Sequence, residues 1–359
     1  MKNCLIAAAA LAAATGFSYA KTHFANPGNF KEVFGQVNNG DTVKLADGTY
    51  RLSDGDVRNF TRRANVTYVG NKWRTNFENT SGAVKKIQFN GKPGLVLRGI
   101  TFRNFDIVLR NCQDHVFDWN RILNNKRRPG GGEVYLAFYN AGGLYQWSNV
   151  RQDYNNGFSS KGVKYNQHSR YLVRTSSADG RLRGAFDLSD GKEVRCEDNK
   201  GSLTSGGTVK AQDHAVYHHD VNGLYHARNT MTGWSDSSSG GSVKIKNVRR
   251  AELYKNNMFT SGVLGRVEPV SDSEFQDVWI HNNTVHGGDI DIWTPNYNPT
   301  QIRLNNNNVK KGRISAFRDI NSRFNWRTSF GNREGGVYNN SAKSYRLAGP
   351  IKKSGNKTL

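Results

Sequence analysis

Acidic side chains are scarce in this sequence: 29 Asp and Glu stand against 51 Lys and Arg in 359 residues, a formal charge of +22. An imbalance of that size points to a polyanionic partner, because it concentrates anions at the surface and speeds their encounter. Cysteine is scarcer still, with three in all. That excludes a disulfide scaffold, and no CxxC or spaced Cys/His set suggests zinc. Cys4 lies in the N-terminal leader. Cys112 and Cys196 stand far apart in the chain, so two buried free thiols are expected. Sustained apolar stripes of helical period are also missing, the stretch Asn29 to Val37 being a short exception. Beyond the leader no run is apolar enough to cross a bilayer, which excludes membrane insertion.

The leader itself has a short positive start at Lys2, an alanine-rich run from Leu5 to Ala14 and a small-x-small site at Ser18-Tyr19-Ala20. This is the pattern of a secretory signal peptide over residues 1-20. The expected product is secreted or periplasmic and monomeric. An exported basic protein meets acidic glycans rather than nucleic acid, so the expected partner is an acidic polysaccharide.

What is abundant is glycine, 38 residues, together with asparagine. Both favour short strands and tight turns. Asn38 to Tyr50 reads as turn, strand, turn, strand, with Val43, Leu45 and Tyr50 inward. Lys92 to Asn104 gives two more short strands broken by Gly99. A loose repeat then recurs. Gly184 to Asp190 parallels Gly207 to Asp213, which parallels Gly241 to Asn247, with later echoes at Gly262, Gly288 and Gly312. Between them, strand-like pieces end in Asn pairs at Asn256-Asn257, Asn282-Asn283 and Asn305 to Asn308. Short strands at this period, with Asn at the turns, are a solenoid signature. The expected fold is all-β: a single-domain right-handed parallel β-helix over 21-345, with a short N-terminal cap, irregular loops and a basic C-terminal tail over 346-359.

In such a fold, side chains at one register in successive coils lie about 4.8 Å apart. Taking Phe186/Leu188, Val209/Ala211, Val243/Ile245 and Ile290/Ile292 as inward pairs gives two outward columns. One holds Asp187, Lys210, Lys244 and Asp289; the other holds Ser189, Gln212, Lys246 and Asp291. With Val263 and Gly265 inward, Arg266 falls beside Lys246, and Arg313 and Arg318 continue the strip. Cations clustered on adjacent coils repel one another unless an anionic ligand neutralises them.

The opening Asn39 to Tyr50 stretch, followed by Gly94 to Phe102, resembles the start of β-helix polysaccharide lyases, in particular the alginate lyase and chondroitinase B family, polysaccharide lyase family 6. That family uses a lysine base and an arginine about one coil later, and Lys246 followed by Arg266 is similar in spacing. The resemblance implies β-elimination, with Lys246 as base and Arg266 as acid or carboxylate clamp. Removing the proton at C5 of a uronate needs a base, a cation on the adjacent carboxylate and an acid for the leaving O4. A lysine crowded by cations gives up its proton more readily, and Lys244 and Lys210 are expected to clamp the substrate. The family's calcium-binding acids are missing, since Ser235 to Ser242 offers only Asp236, so neither calcium nor another cofactor is expected.

Other assignments are open. Tyr217-His218-His219-Asp220 offers a His/Tyr base and acid for a different type of lyase, or His218 as a substrate contact, but the repeat places it one strand after Lys210 and on another face. Asp289 and Asp291 can bind substrate hydroxyls or serve as the paired carboxylates of a glycosidase. A non-catalytic glycan-binding spike and an epimerase are further alternatives. Trp234, Trp293, Tyr297, Trp326 and Tyr154 are candidates for stacking on sugar rings.

Overall fold

The computed structural model describes residues 20–126, 134–153, 161–166, 171–180, 182, 184–203, 214–234, 241–266, 276–293, 300–318, 336–347 and 352–359. Its strands are three to seven residues long in most coils, and every pairing between them is parallel, each strand lying on its counterpart from the next coil. The chain is therefore a parallel β-helix, as its repeats imply. Three faces result. Among the described residues, fourteen strands, from Thr22–Ala25 to Lys352–Ser354, stack as face A. Face B runs from Gly48–Arg51 to Lys357–Thr358, and face C begins at Lys85–Asn90. The long strand Asn308–Arg318 serves both, pairing with Thr284–Val285 on face B and with Ile290–Trp293 on face C.

Alternation sets what lies inside. On face C the inward pairs Phe186/Leu188, Val216/His218, Val243/Ile245, Val263/Gly265 and Ile290/Ile292 are in register. Their stacked aliphatic and aromatic chains form one continuous core down the helix axis. Gly262 sits at a point of close approach, where a Cβ would lie 1.8 Å from the Asp289 carbonyl oxygen of the next coil. Cys112 and Cys196 are buried free thiols.

The turns between faces A and B carry the asparagines, and they do form a ladder. The side-chain amide of Asn199 donates to Oδ1 of Asn229 at 3.0 Å, and the same bond repeats from Asn229 to Asn256, Asn283, Asn307, Asn340 and Asn356. Each Oδ1 also accepts the backbone N–H of the Asn one coil earlier, and each amide caps a carbonyl of the preceding coil, as Asn256 does for His226. Every polar atom of a buried turn is thereby satisfied, which a buried turn requires. The residue before each ladder position is left-handed, at Asp198, Arg228, Lys255, Asn282, Asn306 and Asn339.

The N-terminal end is closed by helix rather than strand. α1 (Phe30–Gln36) and α2 (Asp54–Thr61) place Phe30, Phe34 and Phe60 in an aromatic cluster with Tyr50, Tyr68, Phe77 and Phe89. α2 starts with a capping box between Ser53 and Asp56. It packs on Lys85–Asn90, the first strand of face C.

Two outcomes are expected. Asn256→Ala removes four ladder bonds and strands buried partners on both sides, so the midpoint of chemical unfolding should fall by the equivalent of about 2 kcal/mol; an unchanged midpoint would contradict the ladder's role. Burial pushes His115, which contacts the Cys112 carbonyl and the Tyr165 hydroxyl, from the usual value near 6.5 down to about 4. Between those values the unfolded chain binds the proton and the folded chain does not, so stability is lost as pH falls from 6.5 toward 4. Urea titrations at pH 7 and pH 4.5 should show this loss, and His115→Phe should make it smaller.

Candidate functional site

The strand that follows Gly184–Ser189 on face C is His214–His219, not the Gly207 to Asp213 segment that the sequence repeat suggested. Lys210 lies outside the described residues. His214–His219 pairs in turn with Gly241–Lys246, setting Tyr217 opposite Lys244 and His219 opposite Lys246. The Tyr-His segment expected on another face thus belongs to this one.

Two outward columns result. The first runs Lys164, Asp187, Tyr217, Lys244, Leu264, Asp291, Ser315. The second runs Ser189, His219, Lys246, Arg266, Trp293, Arg318. Arg266 is opposite Lys246, in the register read from the sequence; its side chain and those of Trp293 and Arg318 lie outside the description. Asp291 belongs with Lys244, two coils away, and Asp289 falls one step earlier. This corrects the expected columns, because Ile290 pairs with Val263 and so fixes both aspartates.

Tyr217, His219, Lys244 and Lys246 therefore occupy the corners of a patch about 4.8 Å across the strands and about 6.6 Å along them. The Lys244 ammonium lies 5.3 Å from the Tyr217 ring centroid, and this lysine is only 8 % exposed. Tyr217 and His219 meet edge to face at 5.5 Å. His219 Nδ1 lies 2.7 Å from a carboxylate oxygen of Asp220. A carboxylate only accepts, so in the neutral ring Nδ1 carries the hydrogen and Nε2 the lone pair. Asp220, at φ 54°, turns the chain off the face just after His219, and Asp190 does the same one coil earlier. Donor atoms of Asp190, His219 and Asp220 lie within 4.8 Å of one another, a set able to hold a cation.

His218 is not a substrate contact. It points into the core, fully buried, and its Nε2 lies 2.9 Å from His226 Nδ1. With Cys196 it forms a second group of metal-capable donors, wholly interior. Burial alone holds His226 down at about 3, and burial with the neighbouring ring lowers His218 too. Asp289 is engaged: one oxygen accepts the Arg313 backbone N–H at 2.8 Å and the other lies 3.0 Å from the Arg313 guanidinium. Among the aromatic candidates, Trp234 is fully buried and cannot stack on a sugar. Tyr154, Tyr297 and Trp326 lie outside the described residues.

A different aromatic group was missed. Trp73, Trp119 and Trp147 are all left-handed, at φ 69°, 54° and 49°. Trp119 and Trp147 stack at 5.2 Å and 6° at the turn between faces A and B. The signal available was the repeated Trp-Asn and Trp-Ser just past a strand end, at the ladder positions Asn120 and Ser148.

No protein-family model matches the chain, and no curated protein matches it in sequence. Solved structures do match. One is the A-module of a mannuronan C-5 epimerase from Azotobacter vinelandii, 12 % identical over 89 % of this chain and 91 % of that one, with a TM-score of 0.42. Another is an alginate lyase from Paenibacillus sp. FPU-7, 10 % identical over 94 % and 98 %, TM-score 0.33. A third is a family 28 exopolygalacturonase from Yersinia enterocolitica, 8 % identical over 94 % and 78 %, TM-score 0.33. Likenesses this distant say nothing about chemistry, which must be argued from the side chains. Among the described residues no helix is long and apolar enough to cross a membrane.

The placement of the histidines has a direct check. His219 retains 28 % of its side-chain surface whereas His218 and His226 retain none. Brief treatment of the native protein with diethyl pyrocarbonate, followed by peptide mass analysis, should label His219 and spare the other two. Labelling of His218 at a comparable rate would overturn the register.

Proposed function

We propose that this chain is a polysaccharide lyase that cuts a uronate-containing polysaccharide by β-elimination on face C, as a secreted or periplasmic monomer. The observation that carries this is the register of His214–His219 on Gly241–Lys246, which gathers a base, a phenol and two ammonium groups on one patch. His219 Nε2 takes the proton from C5 of the uronate. The electron pair of that bond forms the C4–C5 double bond, the C4–O4 bond breaks, and the Tyr217 hydroxyl protonates the departing O4. Lys244 and Lys246 neutralise the carboxylate, on which negative charge builds as the proton leaves. Each preorganised cation of that kind contributes on the order of 10²–10³ in rate, and the base on the order of 10²–10⁴.

A second assignment keeps Lys246 as the base and Arg266 as the clamp, as the likeness to polysaccharide lyase family 6 implies; the register of these two residues favours it. Lys246→Arg separates the two. A guanidinium stays protonated and cannot act as a base, but it can neutralise a carboxylate. A glycosidase built on Asp289 and Asp291 is disfavoured because Asp289 is already anchored by Arg313.

The test is to follow the ultraviolet absorbance of unsaturated uronate ends on alginate, pectate and glycosaminoglycans. His219→Ala should lower turnover by about 10³-fold while Lys246→Arg keeps much of it. The reverse pattern would assign the base to Lys246, and reducing ends without absorbance would replace the lyase by a hydrolase. Turnover should survive a chelator; if it does not, His219 is a ligand with Asp190 and Asp220 rather than a base.

A further inference from the structure

The left-handed column at the turn between faces A and B changes character within four coils. Successive positions are Trp119, Trp147, Thr175 and Asp198, each at positive φ and each one coil, about 4.8 Å, beyond the last. Lys72 covers Trp119 from one side at 4.2 Å and Trp147 stacks on it from the other. Trp147 has no third indole beyond it. Where one would sit, the small Thr175 leaves a groove of about 490 Å³, lined among others by Trp73, Trp147, Ser177, Asp179 and Lys200. Trp73 and Trp147 remain 48 % and 42 % exposed. A flat apolar face therefore looks into this groove, with polar groups around its rim.

The rim carries charges of both signs, with cations in excess. Arg121 and Arg151 line the groove with Lys200, and Arg103 stands next to them, close enough for Arg103 and Arg151 to act as like charges on Arg121. Asp179 accepts from Asn149 at 2.8 Å and offsets Arg151 and Lys200, Arg151 also pairs with Asp153 at 2.9 Å, and Asp198 pairs with Arg228 at 2.7 Å. Arg121 has no ion-pair partner among the described residues and lies over the Trp73 ring at 5.1 Å. A guanidinium without an acidic partner beside exposed indoles fits a ligand whose ring has an apolar face and carries an anionic substituent.

We infer that this groove is a second saccharide site, away from face C, in which a pyranose ring of an acidic oligosaccharide stacks on Trp147 and its carboxylate meets Arg121. The choice of an acidic sugar rests on the proposed substrate class; the stacking geometry does not. A site of this kind holds the polymer on the protein without taking part in bond cleavage.

The experiment is calorimetric titration of the full-length protein carrying Lys244→Gln and Lys246→Gln, which disables the face C patch. The probes are hexasaccharides of oligogalacturonate and of oligoalginate, with maltohexaose as the neutral control. Binding of an acidic hexasaccharide should persist in this double variant, weaken at least tenfold on adding Trp147→Ala, and weaken about fivefold on adding Arg121→Gln. Circular dichroism should be unchanged in each case. In the otherwise wild-type protein, Trp147→Ala should leave turnover of short substrates unaltered. Loss of all binding in the double variant, affinity indifferent to Trp147→Ala, or equal binding of maltohexaose overturns the inference. Absence of uronate turnover with the groove binding intact would instead remove the lyase and leave the groove standing.

Discussion

Everything in this molecule follows from one constraint: each coil must present its backbone N–H and C=O groups to the coils on either side at a single spacing near 4.8 Å. The spacing forces residues of like register to be neighbours, so the chemistry of one coil is felt by the next. Two like charges at that distance cost on the order of 1 kcal/mol in water and several times more near a protein surface. Face A answers this by pairing. Arg228 bonds Glu197 and Asp198, Arg250 bonds Glu193, and Arg98 bonds Asp118, each across coils. On face C, Lys246 lies in register between His219 and Arg266, with Lys244 in the adjoining column.

The architecture was open to reading because its signals are local and repeated. Asn pairs mark the ladder turns, and alternation within four- to six-residue strands marks the inward faces. The adjacency of Lys246 and Arg266 could be read for the same reason, since only four residues of strand had to be aligned. The error at Lys210 arose where coils vary in length. Gly207 to Asp213 imitates the alternation of a strand, and the true strand begins at the very next residue. The ladder held the better ruler. Its steps from Asn199 to Asn229 and from Asn229 to Asn256 are 30 and 27 residues, and the strand starts Gly184, His214 and Gly241 repeat those steps. Counting from the turns, which are stapled, is safer than counting from strands, which follow loops free to lengthen.

Alternation along this strand also explains why two adjacent histidines behave so differently. A step of one residue along a strand reverses the side on which a side chain emerges. His218 therefore joins the interior beside His226, while His219 reaches the surface beside Lys246. The indoles escaped notice for a different reason. A large aromatic residue in the left-handed region is rare, so the residue before a ladder position was not read as a display position.

The left-handed turn column has a broader meaning. Its backbone shape recurs before each bonded asparagine or serine of the turn, and tryptophan, threonine, aspartate, arginine and lysine all adopt it there. Those side chains lie outside the apolar core. The column is in effect a rail on which the side chain displayed to solvent differs from rung to rung.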